Sequence, residues 1–143
     1  YEDVLVVKVR EFASKKTIEQ RYDQINAFEK LLAQNNVKIL KFMLHISHEE
    51  QGERLRDRLI QPEKRWKFNP RDLEDRKLWP DFQDAYREAV ERCSTAHAPW
   101  YIIPANKKWA RNLLVARIVV ACLEDMHLSY PEVDYDPSKI KID

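Results

Sequence analysis

VKILKFMLHIS, residues 37–47, is a nearly continuous apolar run, rich in β-branched and aromatic residues and bounded by Asn36 and Ser47. It predicts a strand over 37–46 buried on both faces of a parallel sheet, because a strand covered on one side only would alternate apolar and polar residues. WYIIP, residues 100–104, is a second short apolar run and predicts the neighbouring strand. Parallel strands need a crossover, and the roughly fifty residues between these two exceed what a single connecting helix requires. The fold class is therefore α/β, with a helical module over 47–93 inserted between the strands.

That module opens at Ser47, which makes a capping box with Glu50, and Leu55 and Leu59 supply a narrow apolar stripe. Arg54 and Arg58 share the neighbouring face; four residues apart, they stand on successive turns and can converge on one anion. After Pro62, the segment EKRWKF leads to Asn69 and Pro70, a cap followed by proline at the first helical position, with Asp72 favouring the helix dipole. Trp79, Phe82, Tyr86, Ala89, Val90 and Cys93 keep helical spacing, and Pro80 kinks or divides that helix before its end near Cys93.

Outside the module, Thr17 and Gln20 read as a capping box for a helix over 18–34 carrying Ile18, Tyr22, Ile25, Phe28 and Leu32. The VLVV run within residues 4–9 suits a buried strand or a short buried helix, since so few residues carry no decisive period. Asn106 is expected to cap a long helix over 106–126 whose residues Trp109, Leu113, Ala116, Val120 and Leu123 make it apolar on most sides, hence interior. The tail over 131–143, PEVDYDPSKIKID, is polar with two prolines and is expected to lie extended on the surface.

Composition narrows the function. With 143 residues, 44% of them hydrophobic, the chain suits one domain over 1–143, and its net charge of +1 excludes whole-protein attraction to nucleic acid or an anionic membrane. Yet Arg54 to Trp79 holds nine Lys or Arg against five Asp or Glu, with Trp66, Phe68 and Trp79 among them, so any anion site is local. LLVARIVVACL, residues 113–123, is too short and carries Arg117, which excludes a membrane span. Cys93 and Cys122 form no CxxC and point to reduced thiols in a cytoplasmic protein. Gly52 is the sole glycine, which excludes a Walker A loop or a dinucleotide fingerprint within these residues. The chain opens directly on YEDVLVVKV, as expected of the later part of a longer polypeptide.

Candidate chemistry is sparse. His45 and His48 have no carboxylate or thiol at a ligand spacing, and His97 and His127 accompany no nucleophile signature, so structural or surface roles fit them better than metal or triad chemistry. Trp100, Tyr101 and Trp109 read as packing residues. Lys64, Arg65 and Lys67 around Trp66 could bind a polyanion or set Trp66 on a base, but taken alone the segment reads more readily as a solvated loop. Glu2 and Asp3 suit a magnesium ion or a solvated terminus.

Taken together, YEDVLVVKV, RYDQINAFEKLL, ILKFMLHISHEEQ, RLRDRL, PEKRWKFNPRDLEDRKLW and STAHAPWYIIPANKKW resemble, in order and spacing over nearly all of residues 1–130, the family-2 polyphosphate kinases. The resemblance implies a P-loop kinase-like α/β/α sandwich, here only its later part with two parallel strands, lacking the Walker A and Walker B segments. It implies that 47–93 is a lid closing over phosphates, and that Arg54, Arg58 and Arg65 assist phosphoryl transfer while Lys64, Lys67 and Trp66 hold phosphate. Asn106, Lys107 and Arg111 fall where such kinases contact the nucleotide, and Glu2 and Asp3 near a metal. The implied activity is Mg2+-dependent phosphoryl transfer between inorganic polyphosphate and nucleotides such as ADP and ATP, in a homo-oligomer. The competing reading is a polyanion or nucleic-acid binding module without catalysis.

Overall fold

Strands β1, Lys41–His45, and β2, Trp100–Pro104, pair in parallel with Lys41 opposite Trp100 and His45 opposite Pro104. The computed structural model describes residues 1–142. The α/β expectation holds, and β2 has the expected bounds, but β1 starts at Lys41 rather than residue 37. Nor are the strands buried on both faces: Leu44 is 46% and Ile102 59% exposed. The faces of a parallel sheet are covered by helices packed on it, and the helices of the described residues leave these side chains partly uncovered.

The described residues hold six α-helices, three of them between the strands. Glu2–Val4 forms a 3-10 turn leading into α1, Val6–Val9, so the helical alternative holds for residues 4–9. Next comes α2, Lys15–Gln34, which begins earlier than the capping box at Thr17 suggested. Ser14 is the cap: its backbone is extended, its Oγ accepts from the Thr17 amide at 3.2 Å, and the Thr17 hydroxyl is engaged by that same Oγ at 2.9 Å. Two cap-type residues three apart compete, and the upstream one wins because it leaves Thr17 a helical N–H to satisfy.

The expected Ser47 cap is present, with its Oγ accepting from the Glu50 amide at 3.1 Å and opening α3, His48–Ile60. A 3-10 turn, Pro62–Lys67, then leads to α4, Arg71–Lys77, at whose start Asn69 Oδ1 accepts from the Arg71 amide. Leu78 breaks the chain direction, and α5, Trp79–Cys93, follows with Pro80 in its first turn. Pro80 thus divides the helix, standing where its missing N–H would have no intrahelical partner.

The tightest packing lies between helices. Val4, Leu5, Ile18, Tyr22, Ala85, Ala89 and Cys93 form one cluster, so α2 and α5 clasp the N-terminal turns. The last helix, α6, Lys108–Asp125, corrects two expectations. Its N-cap position is Lys107, which makes no side-chain cap, because the Asn106 amide is committed to Ser47 instead. It is also not interior: α6 has no buried residue, and Trp109 is 71% exposed. No helix among the described residues is long and apolar enough to cross a membrane. Beyond it, residues 131–142 are exposed, with a 3-10 turn at Pro137–Lys139.

Candidate functional site

A cleft of about 700 Å³ runs along the sheet to the carboxyl end of β1. Open α/β sheets bind their ligands beyond that end. Leu44, His45 and Ile46 form its base, α3 contributes Gln51, Arg54, Leu55 and Arg58, and α4 contributes Asp72 and Asp75. Trp79, Phe82, Gln83 and Tyr86 of α5 make an aromatic wall, and Glu2 closes the far side. Burial, and then the charge of Glu2, pushes the Tyr86 hydroxyl pKa up, so this phenol stays protonated.

Arg54 and Arg58 both reach this cleft, as their spacing on α3 requires, but each already has partners. Arg54 donates through Nε to Glu50 Oε1 at 2.8 Å and through Nη2 to the Ala105 carbonyl at 2.7 Å. Asn106 accepts from the Ser47 amide at 3.0 Å. Together they tie the loop leaving β1 to the loop leaving β2. Arg58 is held more loosely, at 3.3 Å from Asp72 Oδ2 and 3.5 Å from the Lys67 carbonyl.

The basic turn stands apart from the cleft lining. Lys64, Arg65, Trp66 and Lys67 occupy Pro62–Lys67; Arg65 Nε donates to the Leu59 carbonyl at 3.0 Å, and Trp66 is 79% exposed. Lys67 Nζ lies 5.0 Å from the centre of the Trp66 ring, so one face of that indole already carries a cation. Lys107 and Arg111 also lie outside the lining, and Arg111 grips its neighbour Asn112 at 2.8 and 3.0 Å. Of the acidic pair, Glu2 lines the cleft, whereas Asp3 turns to Arg21 at 3.3 Å. The two carboxylates therefore do not converge, and no group of three His, Cys, Asp or Glu residues among those described could hold a metal ion. His45 contacts Gln83 at 3.3 Å, consistent with a structural role.

Several residues escaped the sequence reading. Asp72, taken only as a dipole partner, and Asp75 enter the cleft from one face of α4. Asp75 accepts from Arg10 Nε and Nη2 at 2.9 and 2.5 Å, while Arg76 donates to the His48 carbonyl at 2.6 Å and to Gln51 Oε1 at 2.9 Å. Arg10 and Arg76 thus dock α4 onto the N-terminal segment and the start of α3. Lys41 is buried and uses all three of its donors, on Glu29 Oε2 at 2.7 Å, Tyr1 Oη at 2.9 Å and the Cys93 carbonyl at 2.5 Å. A lysine inside an apolar strand run was the available signal, since a buried ammonium demands a full set of acceptors.

Comparison with known proteins places this architecture. The family described as Polyphosphate kinase 2 matches residues 1–131. An AMP/ADP-polyphosphate phosphotransferase of Meiothermus ruber is 50% identical over 143 residues, covering all of this chain and 54% of that protein. An ADP-polyphosphate phosphotransferase of Rhodopseudomonas palustris is 37% identical over 144 residues, covering 92% of this chain and 50% of the relative. The crystal structure of Polyphosphate Kinase 2 from Arthrobacter aurescens superposes with a TM-score of 0.92 at 42% identity, over 96% of this chain and 49% of that one. The chain spans about half the length of these relatives.

Proposed function

The chain belongs to the Polyphosphate kinase 2 family, and we propose that it forms the lid and base side of an enzyme moving phosphoryl groups between inorganic polyphosphate and AMP, ADP or ATP. The observation that carries this reading is the meeting of Arg54 and Arg58 in a cleft at the carboxyl end of parallel strands. Names of the relatives supply the substrates. Phosphoryl transfer needs positioning and neutralisation of the equatorial oxygens more than covalent help, and arginines fixed along one helix face provide both.

In this reading 47–93 acts as the lid. Arg54 and Arg58 face the transferred group, and Lys64, Arg65 and Lys67 with Trp66 engage the polyphosphate as it enters. Asn106, Lys107 and Arg111 stand on the nucleotide side; Asn106 and Arg54 already bind the two strand-exit loops together, so that side is preorganised. Closure expels water and directs the phosphoryl group to a nucleotide rather than to hydrolysis. Mg2+ belongs to the family's chemistry, but Glu2 and Asp3 do not form a cage for it, and no step here runs through these two residues as metal ligands. Homo-oligomerisation and a cytoplasmic setting belong to the same proposal, the latter supported by the free thiols of Cys93 and Cys122.

The test is a chimera in which these 143 residues replace the matching part of the Meiothermus ruber relative. ATP formation from ADP and polyphosphate is expected, with Arg54→Ala and Arg65→Ala each lowering it ~10-fold or more at unchanged folding. A folded chimera that binds polyphosphate with steep salt dependence and transfers nothing returns the chain to a non-catalytic polyanion module.

A further inference from the structure

We propose that Asp72 is a resident counter-ion of Arg58 that an incoming phosphate or polyphosphate must displace, and that this exchange weakens the cleft's hold on every anion that reaches Arg58. The inference rests on the polyphosphate reading above and concerns the affinity of the same cleft.

Three carboxylates hold arginines at or beside the cleft, and they differ in how they can let go. Glu50 lies four residues before Arg54 on α3, so that pair moves as one body. Asp75 is held by Arg10 through two donors at 2.9 and 2.5 Å. Asp72 alone joins Arg58 across two separate elements by a single long contact of 3.3 Å, with both side chains 37% exposed. A half-solvated pair of that geometry is the weakest of the three and opens without disturbing either helix.

Position gives the pair its consequence. Asp72 and Asp75 line the cleft on the same side chain ladder of α4, facing Arg54 and Arg58. Arg76, gripping the His48 carbonyl and Gln51, keeps α4 docked so that Asp72 stays opposite Arg58. An incoming anion therefore meets an arginine that is already neutralised and a carboxylate that repels it. A single phosphate exchanges one ionic contact for another and gains little. A polyphosphate brings several charges at once, engages Arg54 and the basic turn together with Arg58, and displaces Asp72 with contacts to spare. The displacement costs each anion the same, so Asp72 sets how tightly the cleft binds, and the remaining contacts decide which anions bind despite it.

The experiment measures binding of inorganic phosphate, tripolyphosphate and long-chain polyphosphate by titration calorimetry to the chimera with the Meiothermus ruber relative described above, carrying the wild-type sequence, Asp72→Asn, Arg58→Ala or both. Asn has the shape of Asp and the site is half exposed, so far-ultraviolet circular dichroism should be unchanged. Asp72→Asn is expected to tighten tripolyphosphate and long-chain polyphosphate each about 10-fold, with both gains lost in the Arg58→Ala background. A merely structural Asp72 weakens binding or leaves it unaltered, and either result overturns the inference while the polyphosphate reading stands. A gain that survives in the Arg58→Ala background also overturns it, since the carboxylate would then repel anions without being displaced from Arg58. If no folded variant binds any of the anions, the polyphosphate reading falls and takes the inference with it.

Discussion

At the scale of single residues, the most constrained group is the Lys41 ammonium. Its three protons meet Glu29, Tyr1 and the Cys93 carbonyl, and Tyr1 in turn donates to Glu29 Oε1 at 2.8 Å. Burial, with the Glu29 carboxylate beside it, drives the Tyr1 hydroxyl pKa far above its ordinary value, so it serves as a permanent donor. Removing one member leaves an unpaired buried charge. Lys41→Met should therefore cost about 3–5 kcal/mol in urea unfolding, and adding Glu29→Leu should restore most of the loss, because an apolar pair replaces the ionic one. A single substitution without measurable cost would show the network to be dispensable. Arginine placement was legible at this scale: Arg54 and Arg58 were brought to one cleft by their spacing alone. Their carboxylate partners were not legible, because Asp72 and Asp75 approach from another element and no local pattern records which face α4 turns inward.

Among the elements, the junction between α3 and α4 carries the next consequence. Gly52 sits within α3, where glycine is about 1 kcal/mol worse than alanine. A Cβ there would lie 3.0 Å from Arg76 Nη2, the far end of the side chain that holds the His48 carbonyl and Gln51. Charge-assisted hydrogen bonds of that kind are worth about 1.5–3 kcal/mol each, so losing one of the two as Arg76 shifts outweighs the gain in helix propensity. Gly52→Ala should thus destabilise by about 1–2 kcal/mol in the wild-type chain and stabilise by about 1 kcal/mol when Arg76 is already alanine. Equal effects in both backgrounds would show that Arg76 moves aside freely. Most elements were readable from period and punctuation: Ser47, Pro80 and the end at Cys93 stand where capping and proline chemistry put them. The misplacements share one cause. Ser14 outcompeted Thr17, and Asn106 served Ser47 across the sheet rather than α6, because a side chain with a capping vocabulary will take whichever amide the tertiary structure offers.

For the whole molecule, apolar pattern predicted more burial than these residues achieve. Leu113, Val120 and Leu123 of α6 remain 44–51% exposed, and Ile102 of β2 is 59% exposed. Their apolarity was read correctly as a face that seeks cover; what the sequence could not say is which atoms provide it. The same scale governs activity. With Gly52 as its sole glycine the chain has no backbone cradle for a nucleotide's phosphates, so the 143 residues alone should form no ATP from ADP and polyphosphate in a coupled luciferase assay. Turnover by a homogeneous preparation would refute that expectation. The sheet itself has a kinetic corollary. Pairing Lys41 with Trp100 closes a loop of roughly sixty residues, yet closure entropy rises only with the logarithm of loop length, at about 0.6 kcal/mol per doubling. Lengthening the segment between the strands therefore hardly weakens the native state. It does delay the sheet: α2, α3 and α5 can form from near neighbours, while the strands must wait for a distant encounter, so β1 and β2 meet late in folding. The surfaces that form the cleft are consequently expected to assemble last, after the helices that line it already exist.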